Sequence, residues 1–313
     1  MPKLSVILAT DTYQTIRPVI DRLRAQTSRA EIELVLVAPS TDAMSPVMAF
    51  RDEFAAITVV EDPVKDLAMA RAVGIRAAAA KFVFVGETHS YAQPGFAEAF
   101  SRHYSGPWTV LTPAFGNANP KPGLSWAGFL SDYGGWVEGM PSGEIIRIPI
   151  YNTAFRRDAL LSLGDRLAPA LSQGDELLIA LRDGGHKAYF EPAALLTHVN
   201  VAPLSHWVKE RFAAGVVIAS NRARRWSTAR RVFYAAASPL IPFVLCWRVV
   251  PGVWSTVRQK RLPLSIVFWI VVGMIVKSAG EFAGYVGVPP MHWDRMMHEY
   301  EVHKLSYAGP GPS

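Results

Sequence analysis

The sequence is poor in three things. It holds a single cysteine, Cys246, so no intrachain disulfide can form and no metal site can be built on thiolates. This fits a reducing compartment, and Cys246 sits in an apolar run where a buried, inert thiol is expected. Charge is sparse as well. Only 19% of residues are charged while 50% are hydrophobic, which excludes a disordered or low-complexity chain. The third lack is at the start: Met1–Thr10 is too short and too soon interrupted by polar residues for a secretory leader. It reads as a first β-strand, which predicts that the first part of the chain stays on the cytoplasmic side. No internal repeat is visible.

What is present is a basic, unevenly apolar chain. The formal net charge is +6, and the mean hydropathy of +0.16 is concentrated after Arg231. A basic balance permits anionic lipid, phosphorylated substrates or nucleic acid. No nucleic-acid-binding motif accompanies it, so nucleic acid is not expected as a partner.

Short apolar runs alternate with helical patterns. Leu4–Ala9, Ile32–Val37, Ile57–Val60 and Phe82–Val85 read as buried strands. Between them, Ile16–Gln26, Val47–Phe54 and Leu67–Ala80 read as helices, and another begins at Pro94-Gly95. This order predicts an α/β fold with a mostly parallel sheet and helices on both faces. Ligands then bind beyond the carboxyl ends of the strands, so Thr10–Tyr13, Pro39–Asp42 and Gly86–Ser90 should share one rim. Trp108–Pro113 continues as a strand. Residues 114–150, rich in Gly, Pro, Asn and Trp, read as irregular. Arg156–Leu163 and Asp175–Arg182 read as helices, and Lys187–Phe190 and Ala194–Thr197 as short strands.

The fourth strand runs straight into Gly86-Glu87-Thr88-His89-Ser90. If the chain stays extended, Glu87 and His89 share a face. A carboxylate suits Mg2+ or Mn2+, and an imidazole moves the preference towards Mn2+. The plain alternative is that both residues solvate a loop.

The stretch from Lys3 to Asn200 resembles a family 2 glycosyltransferase of the GT-A fold. Glu87-Thr88-His89 occupies the place of the family's Asp-x-Asp motif, and the run into Pro94-Gly95-Phe96 resembles a branch with Glu-x-His-Ser. Asn117-Ala118-Asn119-Pro120, Ser125-Trp126-Ala127 and Tyr151–Asp158 are similar to the same branch, as is Thr197-His198-Val199-Asn200. The resemblance implies a metal held by Glu87, His89 and His198, with Mn2+ or Mg2+ as cofactor. It implies a nucleotide-sugar donor contacted by Thr10, Asp11, Arg71, Glu87 and Thr88. Glu176 or Asp175 would be the catalytic base, and Asn152 and Trp126 would contact the acceptor. Plainer roles are a turn for Asn152, packing for Trp126 and helix-terminal charges for the two acids. Three positions depart from the family pattern: Ala38-Pro39 replaces the acid after the second strand, Arg71-Ala72 replaces Arg-Asn, and Gly174-Asp175-Glu176 replaces the Glu-Asp pair. The nucleotide base is therefore left open.

From Leu204 the character changes. Trp207–Ala219 reads as a helix and is followed by an Arg cluster at 222–231. Two apolar stretches follow, Val232–Trp247 and Leu262–Val276, each shorter than the roughly 20 residues of a straight span. Two spans, broken helices or a shallow hairpin in one leaflet all remain open. Arg258, Lys260 and Arg261 precede the second stretch, and cations in these places attract anionic headgroups. The expectation is a catalytic domain over 1–205 and a helical membrane-associated region over 206–313, at the cell membrane. The sugar acceptor would be lipid-linked or membrane-proximal. The apolar region also offers a surface for homo-oligomer formation. A non-catalytic sugar-nucleotide-binding or scaffold subunit is the alternative; a nucleotidyltransferase lacks support because no Gly-rich activating loop is present.

Overall fold

A computed structural model describes residues 1–121, 123–172, 174–224 and 226–309, without the side chain of Asp175. The strands are β1 (Leu4–Ala9), β2 (Ile32–Ala38), β3 (Ala56–Glu61), β4 (Phe82–Val85), β5 (Ser90–Ala92), β6 (Val110–Asn117), β7 (Gly143–Ile145), β8 (Thr153–Arg156) and β9 (Ala188–His198). The helices are α1 (Tyr13–Arg24), α2 (Leu67–Ala77), α3 (Phe96–Ser101), α4 (Gly123–Tyr133), α5 (Arg157–Leu161), α6 (Leu167–Ser172) and α7 (Gly174–Asp183). They continue with α8 (Leu204–Ala223), α9 (Thr228–Ala237), α10 (Ile241–Gln259), α11 (Ser265–Val286) and α12 (Met291–Val302).

The chain forms two compact units, Met1–Gly116 with Glu138–Thr197, and Asn117–Val137 with His198–Ser313. The division falls one residue before the end of β6 and of β9. The first unit is built on one sheet in the order β3-β2-β1-β4-β8-β6-β9-β5, with β7 paired to β9. β3, β2, β1 and β4 are parallel. β4 and β6 both run antiparallel to β8. Every residue of β1, β2 and β4 is buried, as expected of central parallel strands covered on both faces. α1 buries Ile16, Val19, Ile20 and Leu23, the residues at helical spacing. α2 lies so close to the sheet that a Cβ on Gly74 would sit 2.5 Å from Ile7 Cγ2. At the opposite, amino end of the sheet the buried Glu33 is held by the Ser5 hydroxyl and by the Ala79 N–H at 2.8 Å.

Several elements differ from the sequence expectation. Residues 114–150 are not irregular throughout: β6 extends to Asn117, and α4 and β7 follow. α4 is rich in small and aromatic residues and buries Ser125, Ala127, Gly128, Phe129, Leu130 and Tyr133. Buried on so much of its surface, it has no polar face to reveal its period. The helix expected over Val47–Phe54 is a 3-10 helix over Asp42–Glu53. The two short strands after Lys187 are one strand, β9, which continues through Pro192. The Ala193 N–H donates to the Glu191 carboxylate at 2.9 Å.

In the second unit α8 and α11 pack through small residues. A Cβ on Gly215 would lie 2.1 Å from the Lys277 carbonyl oxygen, and one on Gly280 would lie 2.1 Å from that of Phe212. Such backbone-to-backbone approach requires glycine on both helices. Arg211 of α8 donates both terminal nitrogens to Asp132 of α4, at 2.8 and 2.7 Å. The apolar stretches form longer helices than their charge-free runs suggested. Thr228–Gln259 and Ser265–Val286 are both long and apolar enough to cross a membrane.

Candidate metal and nucleotide-sugar site

The rim at the carboxyl ends of the parallel strands begins with the loop after β1. Thr10 is fully buried, and its hydroxyl donates to the Thr12 carbonyl at 3.2 Å. Asp11 accepts from the Thr12 N–H at 2.7 Å and from the Thr15 hydroxyl at 2.6 Å, so it fixes the start of α1. β2 ends at Ala38, buried, where the family pattern has an acid. The next strand supplies a carboxylate that sequence reasoning missed: Glu61 ends β3 and accepts from the N–H and hydroxyl of Thr41, both at 2.9 Å. These donors hold its carboxyl below the usual range. Val64 adopts φ 51°, unusual for a β-branched residue, with its side chain packed by Ala9, Val37 and Ala70.

β4 stops at Gly86, where a Cβ would meet Leu8 Cδ2 at 2.8 Å. The chain then turns at Thr88 and His89 and re-enters the sheet as β5. Glu87 and His89 do converge, but through this turn and not through an extended segment: His89 Nε2 lies 3.4 Å from Glu87 Oε2. Both are buried, at 6% and 0% exposure, which rules out the plainer reading of residues solvating a loop. Asn152 fixes the carboxylate. Its Nδ2 donates to Glu87 Oε2 at 2.5 Å and to Ser90 Oγ at 2.9 Å. Its own N–H donates to the Val85 carbonyl at 2.6 Å, with φ 58°. A left-handed asparagine is tolerable where its amide has local partners.

His198 is the last residue of β9, and the strand carries it to the same place. One ligand atom from each of Glu87, His89 and His198 lies within 4.8 Å of the others. Its ring is oriented by a chain of amides. The Asn119 Nδ2 donates to the carbonyls of Asn200 and Ala308 at 2.7 and 2.9 Å, so its Oδ1 must be the acceptor of the Asn200 N–H at 2.9 Å. The Asn117 Oδ1 accepts from the Asn119 N–H at 3.1 Å, the Ser125 hydroxyl at 3.0 Å and the Asn200 Nδ2 at 3.0 Å. That sets the Asn200 amide with Oδ1 towards His198 Nδ1, 2.9 Å away. His198 Nδ1 is therefore the protonated nitrogen, and Nε2 carries the lone pair that a metal needs.

The donor set fits a divalent cation. Ligands about 2.1 Å from an Mg2+-sized ion lie about 3.0 Å apart when adjacent and about 4.2 Å apart when opposite; the Glu87–His89 pair at 3.4 Å falls in that range, and His198 lies within 4.8 Å of both. One carboxylate and two imidazoles are all competent ligands for such an ion.

Of the remaining expected residues, Thr88 touches this cluster. Arg71 is 4% exposed, with its guanidinium 3.7 Å over the Tyr151 ring, and its Nε has no hydrogen-bond partner among the described residues. Thr88 is buried, with its hydroxyl 3.2 Å from His89 Nδ1. Glu176 is exposed in the first turn of α7 and makes no hydrogen bond or ion pair among the described residues. The side chain of Asp175 lies outside the described residues. Trp126 is partly buried on α4, edge-on to Phe129.

No protein-family model and no curated protein matches the chain. Solved structures do. The mannosyltransferase PcManGT from Pyrobaculum calidifontis, in complex with GDP-Man and Mn2+, superposes with a TM-score of 0.54 and 16% identity over 90% of this chain and 87% of that one. S. aureus TarS 1-349 in complex with UDP matches at 0.48 and 16% identity, covering 95% and 91%. GalNAc-T7 with UDP, GalNAc and Mn2+ matches at 0.48 and 13% identity, over 63% of this chain and 43% of that one. The likeness to the mannosyltransferase shows the fold: a GT-A-like mixed sheet flanked by helices.

Proposed function

We propose that the chain is a metal-dependent, inverting glycosyltransferase that moves a sugar from a nucleotide-sugar donor to a lipid-linked or membrane-proximal acceptor. The observation that carries this reading is the buried convergence of Glu87, His89 and His198 at the rim of a GT-A-like sheet. Fold alone does not establish activity; this site is what adds chemistry to it. The solved structure of like fold holds GDP-Man and Mn2+.

Glu87, His89 and His198 would hold Mn2+ or Mg2+, whose chemistry when bound is to offset charge on a departing diphosphate. The two imidazoles favour Mn2+. Asn152 and Ser90 keep the Glu87 carboxylate in place. Arg71 supplies a fixed positive charge from α2, and Thr10, Asp11 and Thr88 line the donor side. Glu176, or Asp175 beside it, takes the proton from the acceptor hydroxyl, and direct attack inverts the anomeric carbon. Asn152 and Trp126 would face the acceptor. Residues 1–205 form the catalytic domain and 206–313 attach it to the membrane, with the catalytic side in the cytoplasm.

The test is hydrolysis and transfer with a panel of nucleotide sugars, with and without Mn2+. Turnover that needs Mn2+ and is lost in Glu87→Ala supports the enzyme. Donor binding that never leads to turnover with any donor or acceptor would instead identify a sugar-nucleotide-binding subunit.

A further inference from the structure

The two long apolar helices differ from helices that cross a bilayer in how their exposed residues are arranged. On α11 the exposed apolar residues are Phe268, Ile275, Phe282 and Val286, with Leu264 just before it. Their spacings of 4, 7, 7 and 4 residues follow one helical face. On α10, Phe243, Val244, Trp247 and Trp254 form a similar stripe. Trp247 is 81% exposed. The other faces of α11 are covered by protein, whereas α10 buries Val253, Thr256 and Val257 and leaves most of its length exposed.

The cover on α11 brings charges with it. A Cβ on Gly273 would lie 3.0 Å from the Trp207 ring, and one on Gly284 would lie 2.7 Å from the Val216 carbonyl oxygen. Thus α8 from Trp207 to Val216 runs beside Gly273–Gly284 of α11. That piece of α8 carries the exposed Lys209, the buried Glu210 and the partly buried Arg211, which is paired with the half-exposed Asp132. If α11 crossed the membrane, these groups would stand at hydrocarbon depth, where exposed charges are among the costliest residues. Ser265–Val272 lies before that level, and eight residues of helix rise about 12 Å against a core of about 30 Å; the part of α11 beyond it carries Lys277 and Glu281.

α10 has the same limitation. Between Arg231 and Arg248 lie 16 residues without charge, about 24 Å if fully helical. Pro239, Pro242 and a 3-10 turn interrupt them. Arg248 is exposed on α10 and has no partner among the described residues.

Both ends of this helix pair are cationic. Arg230 and Arg231 stand at one end, where Arg231 Nε donates to the Tyr285 carbonyl at 3.2 Å. Arg258, Lys260 and Arg261 stand at the other. A pair that crossed would leave one basic end on each side of the membrane. A pair lying flat puts all of these cations at one headgroup level, where an anionic leaflet complements them. A groove of about 650 Å3 opens between the helices, lined by Phe243, Cys246, Ile275 and Phe282 among others. The two serines on its wall donate to main-chain carbonyls four residues back, Ser238 to Tyr234 and Ser278 to Met274. The groove therefore suits an acyl chain.

We propose that α10 and α11 do not cross the bilayer but lie side by side in one anionic leaflet, with a lipid chain in the groove between them. This rests on the membrane reading above.

The test adds the full-length chain to preformed vesicles of phosphatidylcholine and phosphatidylglycerol. Single-cysteine versions are made on Cys246→Ala: Gln259→Cys at the exposed end of α10, beside the turn between the two helices, and Met291→Cys beyond α11. Flotation followed by a membrane-impermeant maleimide is the readout. The expected result is co-flotation that weakens without phosphatidylglycerol, with Gln259→Cys and Met291→Cys labelled equally before detergent. Trp247→Glu with Phe243→Glu should abolish flotation without lowering Tm. A chain that floats but exposes Gln259→Cys only after detergent overturns the flat arrangement and leaves the membrane reading intact. A chain that never floats, or sediments as a stable dimer, overturns both and assigns the apolar face to protein. Neither result bears on donor turnover, which is measured separately.

Discussion

If Asn200 selects the tautomer of His198, replacing it should weaken metal binding even though Asn200 is not itself a ligand. In Asn200→Leu the side chain keeps much of its volume but offers no oxygen to His198 Nδ1, now 2.9 Å from Asn200 Oδ1. The ring must present a bare Nε2 to bind a cation, so its proton must stay on Nδ1. Both His198 and Asn200 are buried, at 2% and 4% exposure, and water cannot easily take over as acceptor. Leaving one buried donor unsatisfied costs about 1–3 kcal/mol, which corresponds to about 5- to 150-fold in affinity. Losses of this size are typical when a residue that orients a metal-bound histidine is removed. Titration calorimetry with Mn2+ measures the affinity, and long-range 1H–15N NMR of the His198 ring reads the tautomer directly. Asn200→Asp keeps an acceptor for His198 Nδ1 but sets its second oxygen against the Asn117 Oδ1 and the His198 carbonyl, so it should keep the His198 tautomer while lowering Tm. An Asn200→Leu protein that is folded, binds Mn2+ normally and shows an unchanged His198 spectrum would refute the reasoning.

Other expectations follow from the same geometry. Asn152→Gly preserves the left-handed backbone but removes the amide on Glu87; Mn2+ affinity should fall about 10- to 100-fold, with little change in far-ultraviolet circular dichroism. Glu176→Gln should abolish transfer while donor binding, followed by thermal shift, stays near wild type; unchanged turnover would reject it as the base. Gly280→Leu must push apart two backbones where even a Cβ would stand 2.1 Å from Phe212 O. Its cost should exceed the usual overpacking range of about 1–3 kcal/mol, seen as a lower denaturant midpoint.

The parallel half of the sheet was legible because its strands are buried on both faces and their sequences are unbroken apolar runs. Where burial was uneven, the pattern misled. α4 is sheathed by neighbours and so lacks an amphipathic period, and Pro192 broke the reading of β9 although the strand continues through it. At the site, residue types were more informative than local conformation. Glu87 and His89 were expected to meet across an extended segment, and a turn brings them together instead. Asn117, Asn119, Ser125 and Asn200 stood out in sequence only as parts of similar-looking motifs. Their common task, to aim one imidazole, depends on contacts between residues some 80 positions apart, which no local pattern encodes. The His-x-Asn spacing at the end of β9 was the one available hint. Glu61 went unnoticed because the acid was sought after β2 and not beside it.

The β4–β8 ladder has a further consequence. Because these two strands run in opposite directions, the exit of one and the entry of the other share an edge, with Val85 opposite Thr153. Glu87 leaves from the first and Asn152 arrives at the second. The pairing thus works as a ruler for the site: sliding β8 by two positions would carry the amide about 7 Å away, and a slip of one would turn it to the other side of the sheet. Substitutions at Ala154 or Phe155 can therefore separate Asn152 from Glu87 by shifting a measurement and not by removing either side chain.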